Sequence, residues 1–66
     1  MTRIETVRRI ASDHAAATVD GFWVDATTAR ALVMVYDALA PANRDKFERI
    51  PLPRLVDFTW KHIRAA

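Results

Sequence analysis

The sequence predicts a mainly α-helical fold that carries one small β-hairpin. Apolar residues recur at steps of three and four along most of the 66 residues, which is the spacing of amphipathic helices. The single glycine, Gly21, follows Asp20, and an Asp-Gly pair between β-branched and aromatic residues is typical of a tight hairpin turn. Prolines at positions 41, 51 and 53 divide the second half of the chain into separate helices.

The first helix is expected to begin after Thr2 and to end near Ala16. Thr2 and Glu5 have the T-x-x-E spacing of a capping box, in which side chains satisfy free backbone N–H groups at a helix start. The apolar positions that follow continue to His14, so we expect His14 to lie half buried near the end of this helix. This apolar face consists of Ile4, Val7, Ile10, Ala11 and His14.

Residues 17–24 are expected to form the hairpin. If Val19 pairs with Phe22 beside the turn, the alternation of a strand places these two residues on one face together with Ala17 and Val24. A lone hairpin is marginal in water, so this apolar face should pack against the helices. Trp23 then lies on the other face and points away from the core.

A second helix is expected from about Ala26 to Leu39, with Asp25 as its N-cap. A helix that is apolar almost all round is normally buried on more than one side, so this one should be either the central helix or a helix at a subunit interface. It carries two apolar stripes, the first formed by Ala29, Leu32, Val33, Tyr36 and Leu39 and the second by Ala31, Met34, Val35 and Ala38.

Two more helices are expected, from Pro41 to about Arg49 and from about Pro53 to about Arg64. Phe58 projects from the middle of the polar face of the last helix. The apolar face of that helix consists of Leu52, Leu55, Val56, Thr59, Trp60 and Ile63, and the polar face of Arg54, Asp57, Lys61, His62 and Arg64.

Composition argues against enzymatic and metal-dependent functions. The chain has no cysteine, which excludes disulfides and Cys-based zinc sites, and its two histidines lack the spacing of metal ligands. A single glycine is too few for a phosphate-binding loop. Ser12, Asp13 and His14 are adjacent on a helix, so their side chains point in different directions and cannot form a catalytic triad. We therefore expect a single domain over residues 1–66 with no catalytic residue, cofactor or metal.

The apolar content indicates no membrane span, and the charge indicates no strongly basic surface that would bind nucleic acid. The longest uncharged apolar run, 31–36, is far shorter than the roughly 20 residues that cross a bilayer. The formal net charge is only +2, which is weak support for nucleic-acid binding.

Protein binding is the function that the sequence favours. Trp23 and Phe58 lie outside the predicted core, and the second helix has a surplus stripe around Met34. Aromatic residues and methionine are enriched at the centres of interfaces. We therefore predict a protein interface, with self-association through the second helix as one form of it. Its residues are Trp23, Ala31, Met34, Ala38 and Phe58.

DNA binding is the alternative. The last two helices and their short connection resemble a helix-turn-helix pair, whose second helix enters the major groove. Asp57 on the same face and the prolines on both sides of the turn argue against this interpretation. The residues that would face DNA are Arg54, Phe58, Lys61, His62 and Arg64.

Four segments of the chain also resemble short proteins encoded by actinobacterial phages and prophages. These segments are V-D-G-x-x-V-D-x-x-T-A from Val19, V-Y-D-A-L from Val35, N-R-x-K-F from Asn43 and I-P-L-P-R-L-V-D-F-T-W-K from Ile50. The resemblance covers about two-thirds of the chain and includes no catalytic motif. It implies a phage-encoded protein in the cytoplasm of a bacterial host that binds a host or phage protein or regulates gene expression. It supplies no site residues.

Overall fold

The computed structural model describes the backbone of residues 2–65 and the side chains of residues 2–64. Within this range the chain forms four α-helices and one two-stranded antiparallel sheet, which confirms the predicted fold class. In chain order the elements are α1 (Arg3–Asp13), β1 (Ala17–Val19), β2 (Phe22–Val24), α2 (Ala26–Ala38), α3 (Pro41–Arg49) and α4 (Leu52–Ala65).

The two ends of α1 follow from local residue chemistry. The Thr2 hydroxyl accepts a hydrogen bond from the Glu5 backbone N–H at 3.3 Å, as expected of an N-cap. The helix ends at Asp13, before the expected end near Ala16, because His14 adopts a left-handed conformation with φ of 54°. The prediction that His14 is half buried is wrong: its backbone leaves the helical path, and the residue is exposed.

The hairpin has the predicted turn and register. Asp20 and Gly21 have φ angles of 51° and 78°, the positive pair that a type I′ turn requires. Val19 lies opposite Phe22 in the register. The side chains of Val19 and Val24 are buried on the face that meets the helices, while Trp23 lies on the outer face.

The main core lies between α1, the hairpin and one side of α2. The start of α4 and Phe47 of α3 close it at one end, and the Phe47 ring meets Tyr36 edge to face with centroids 5.0 Å apart. The buried residues of this core are Ile4, Val7, Ile10, Val19, Val24, Ala29, Leu32, Phe47, Leu52 and Leu55.

Helix α2 is the central helix, the first of the two arrangements expected for it. Its first apolar stripe faces α1 and the main core, with Ala29 and Leu32 fully buried. On its other side α4 packs against it with the face that contains the fully buried Thr59. Ala31 and Val35 of the second stripe are therefore also buried. Only part of the predicted surplus stripe remains uncovered.

The Arg3 side chain joins three separate parts of the chain. Its guanidinium donates hydrogen bonds to the carbonyl oxygens of Phe47 and Ile50, both at 2.6 Å, at the C-terminal end of α3. It also forms an ion pair with Asp20 in the hairpin turn at 2.9 Å. In the opposite direction, the Glu48 carboxylate accepts a hydrogen bond from the Ile4 backbone N–H at 3.3 Å. These contacts fix the start of α1 against the end of α3.

Replacing Arg3 should destabilise the fold. The Arg3 side chain is only 10% exposed, and Arg3→Met leaves two carbonyl groups without their donor. We expect the free energy of unfolding to fall by about 1.5–3 kcal/mol, the usual range for hydrogen bonds to a charged group. Urea denaturation followed by circular dichroism measures this change.

Arg9→Met is the matched control. Arg9 lies on the same helix, is exposed, and makes no hydrogen bond or ion pair with any residue that the structure describes. Its replacement should change the free energy of unfolding by no more than about 0.5 kcal/mol. Equal urea midpoints for the two variants would show that the Arg3 contacts do not stabilise the fold.

Candidate interaction surface

Among residues 2–64, three large apolar side chains stay exposed after the chain has folded. Trp23, Met34 and Phe58 are 65%, 63% and 51% exposed, respectively. Scattered exposed apolar residues are normal on proteins, whereas several that share one surface indicate a binding site.

Phe58 is held on the outer side of α4 by neighbours one helical turn away. Its ring stacks on His62 with the centroids 6.0 Å apart and the planes inclined by 26°. Beside this pair, Lys61 and Asp57 form an ion pair at 3.0 Å. Arg54 lies one turn before Phe58, on the same side of the helix. The aromatic pair is therefore surrounded by charged groups but not covered by them.

Phe58 also borders a groove where α2, α3 and α4 meet, which we name the Phe58 groove. Its volume is about 280 Å³. The buried residues Val35, Phe47 and Leu55 line its floor. Its rim is formed by less buried residues, and one of them, Lys46, is charged. The rim consists of Leu39, Asn43, Lys46, Ile50 and Phe58.

Met34 borders two further grooves between α2 and α4. One of them contains Met34, Ala38, His62 and Ile63, and Val35 lies in its floor. The other lies nearer the start of α2 and contains Ala31 at its base. Ala38 is exposed, whereas Ala31 is 5% exposed, so Ala31 presents little surface to a partner.

These grooves and the Phe58 groove adjoin one another through shared lining residues. Val35 lines the floor of two of them, and His62 borders the Met34 side while it stacks on Phe58. We name this surface the α2–α4 face and define it by Met34, Ala38, Phe58, His62 and Ile63 together with the Phe58 groove.

Trp23 is separate from the α2–α4 face. It stands on the outer side of the hairpin, paired in register with Thr18, and it borders none of the three grooves described above. Of the predicted interface residues, Met34, Ala38 and Phe58 thus lie together, whereas Trp23 lies elsewhere.

Several basic side chains serve the fold and leave fewer for a charged partner. Arg3 contacts α3, and Arg44 donates hydrogen bonds to the carbonyl oxygens of Tyr36 and Asp37 at the end of α2, both at 3.2 Å. Arg8 forms an ion pair with Asp37. This pairing lowers the pKa of Asp37, chiefly through the hydrogen bond from Arg8, and raises that of Arg8.

The residues predicted to face DNA remain on the surface of α4. Arg54, Lys61, His62 and Arg64 are all exposed. Lys61 is already paired with Asp57, which reduces the positive charge that this helix offers to phosphate groups.

Neither a metal-binding group nor a membrane-spanning helix is found in the described part of the chain. No three His, Asp or Glu side chains among residues 2–64 converge as metal ligands would. None of the helices in the described residues has the length and hydrophobicity that a membrane crossing requires.

The Phe58 groove itself was not anticipated from the sequence. Its floor and rim come from three helices, and no periodicity within one helix shows which residues of another will lie opposite. Two signals pointed toward it: Phe58 interrupts a polar face, and Leu39 ends an apolar stripe at the point where Pro41 redirects the chain.

Comparisons with known proteins add no relative from which a function can be transferred. No family model matches the chain, and the searches of curated proteins and of solved structures found no match.

Phe58→Ala should leave the fold largely intact. Half of the Phe58 surface is exposed, so its truncation should lower the free energy of unfolding by about 1 kcal/mol or less, near the range of surface substitutions. Phe47→Ala is the contrasting variant, because Phe47 is 1% exposed and truncation of a core Phe costs about 3–5 kcal/mol. Thermal or urea denaturation measures both, and similar losses in the two variants would assign Phe58 to the core.

Proposed function

We propose that this chain is a non-enzymatic protein-interaction module that binds a partner protein through the α2–α4 face. The observation that carries this proposal is that the grooves adjoin: Met34 and Phe58 are exposed side chains of two different helices, and they border two grooves that share Val35. The resemblance of the chain to actinobacterial phage proteins supports a host or phage protein as the partner and the bacterial cytoplasm as the location.

The composition of the face fits a binding surface. Aromatic residues and methionine contribute large apolar areas, and interface centres are enriched in both. Methionine also adapts its shape to a partner because its side chain is unbranched and flexible. Trp23 offers a second contact point on the hairpin, and Met34 with Ala38 offers a contact for self-association through α2.

Affinity capture from an actinobacterial lysate tests this proposal. Immobilised wild-type protein should retain a partner that the double variant Met34→Ala with Phe58→Ala loses, since the variant removes the two large exposed apolar side chains of the face. Quantitative mass spectrometry of the retained proteins measures the loss.

Two control variants accompany this experiment. Arg9→Ala should retain the same partner as the wild type, because Arg9 lies on α1 outside the face. Trp23→Ala separates the hairpin contact from the α2–α4 face. A set of captured proteins that does not change in the double variant contradicts the proposal.

A small DNA-binding regulator is the second candidate. The exposed basic residues on α4 favour it, in particular Arg54 and Arg64, which form no ion pair among the described residues. The apolar Phe58 and the Asp57–Lys61 pair in the same face weaken it, since DNA affinity comes mainly from cations that contact phosphates.

Binding to random duplex DNA distinguishes the two candidates. Under the DNA-binding proposal, fluorescence anisotropy should show binding at about 50 mM salt that falls steeply by about 200 mM, because phosphate contacts release counterions. Arg54→Ala with Arg64→Ala should weaken this binding, whereas the protein-interaction proposal expects no measurable binding at either salt concentration.

A further inference from the structure

We propose that the Phe58 groove binds an amphipathic helix of the partner protein, with apolar side chains in the groove and acidic side chains facing Lys46 and Arg54. This inference rests on the proposed function and specifies the chemistry of its partner. It is carried by the dimensions of the groove, by the helices that border it and by the charges at its rim.

The size of the groove suits side chains rather than a whole folded surface. An apolar cavity of about 150 Å³ holds one benzene molecule, so the groove volume of 280 Å³ accommodates roughly two apolar side chains. Its floor of Val35, Phe47 and Leu55 offers no charged group to solvate. Two neighbouring apolar residues of one segment can therefore enter it together.

A helix presents such neighbours at positions i and i+3 or i+4. An apolar groove between helices is a recurring docking site for an amphipathic helix with anchors at this spacing. The exposed Phe58 ring, which stacks on His62, forms one wall against which the incoming helix can pack.

The charges around the groove favour acidic residues on that helix. Lys46 lines the rim and has no carboxylate within ion-pair distance among the described residues. Arg54 also forms no ion pair among the described residues, and it lies one turn from Phe58 on α4. Lys46 thus places one cation at the rim, and Arg54 places a second cation one turn from Phe58, outside the groove lining.

No carboxylate among the described residues lies within ion-pair distance of either cation. Asp37 pairs with Arg8, Asp57 pairs with Lys61, and Glu48 accepts a hydrogen bond from the start of α1. Asp45 precedes Lys46 on α3 but does not line the groove. The rim is therefore positive, and an acidic segment complements it.

A second copy of this chain is a less suitable occupant of the groove. In a two-fold dimer the same patch meets itself, so the cationic rims of both copies would come close together. Such a contact opposes association, because like charges at an interface are unfavourable.

The experiment is a selection from a yeast-displayed library of 16-residue amphipathic helices with randomised flanking positions. Wild-type protein should enrich sequences that combine two apolar anchors at i and i+4 with Asp or Glu beside them. Binding of the enriched peptides should weaken about five- to tenfold in Lys46→Glu, since an attraction becomes a repulsion at a partly exposed site. Phe58→Ala should also lose its affinity for the enriched peptides.

Arg9→Glu is the matched control, because it changes the net charge by the same amount on α1, away from the groove. Its affinity for the enriched peptides should change by less than about twofold. When the Lys46→Glu variant is itself the target of the selection, the enriched peptides should no longer favour acidic residues.

Three results would overturn the inference. The first is the absence of any enriched helix, and the second is an equal loss of affinity in Lys46→Glu and Arg9→Glu. The third is a concentration-dependent dimer in sedimentation that Phe58→Ala disperses, which would assign the groove to a second copy. Each of these leaves the capture experiment with the Met34 and Phe58 double variant unaffected, so the proposed function is tested separately.

Discussion

The position of Arg3 constrains the rest of the structure. Arg3 is the first residue of α1, where a positive charge is normally unfavourable because the helix dipole is positive there. Its guanidinium instead reaches the C-terminal end of α3, where the dipole is negative and two carbonyl groups need donors. The same group pairs with Asp20, so one side chain links the first helix, the hairpin turn and the third helix.

This link determines which surfaces are left uncovered. Because α3 is held at the start of α1, its Phe47 side chain enters the core beside Tyr36. Helix α4 then begins at Leu52, just after Pro51, and runs along the other side of α2. Helix α4 covers Ala31 and Val35 but leaves Met34 and Ala38 exposed. The apolar surplus of α2 that remains exposed therefore lies next to the outer face of α4, and the Phe58 groove forms where the three helices meet.

The basic side chains likewise divide into those that stabilise the fold and those that remain for binding. Arg8 and Arg44 both lie near the Tyr36 ring, with their guanidinium carbons 5.7 and 5.1 Å from its centroid. Together with Arg3 they stabilise helix ends and the packing between elements. Lys46 lines the Phe58 groove and Arg54 lies one turn before Phe58, and neither forms an ion pair among the described residues. Their positions, rather than the small net charge of the chain, are the basis of the proposed preference for an acidic partner segment.

The sequence by itself determined the elements and the direction of most side chains. The Thr2 and Asp25 caps, the positive-φ pair at Asp20 and Gly21 and the helix-starting Pro41 act within a few residues, so local chemistry is enough to place them. Periodicity was likewise enough to show that Trp23 and Phe58 lie outside the core. His14 was misplaced because its backbone leaves the helix, which apolar spacing does not reveal.

Only the tertiary structure decided what those exposed residues share. How α4 crosses α2 decides the burial of Ala31 and the closeness of Met34 to Phe58. Where α3 ends decides the partners of Arg3. These are contacts between residues distant in the chain, and no local pattern encodes the distance between two helix faces. The sequence identified Phe58 as an exposed aromatic residue, and packing of the helices placed a groove beside it.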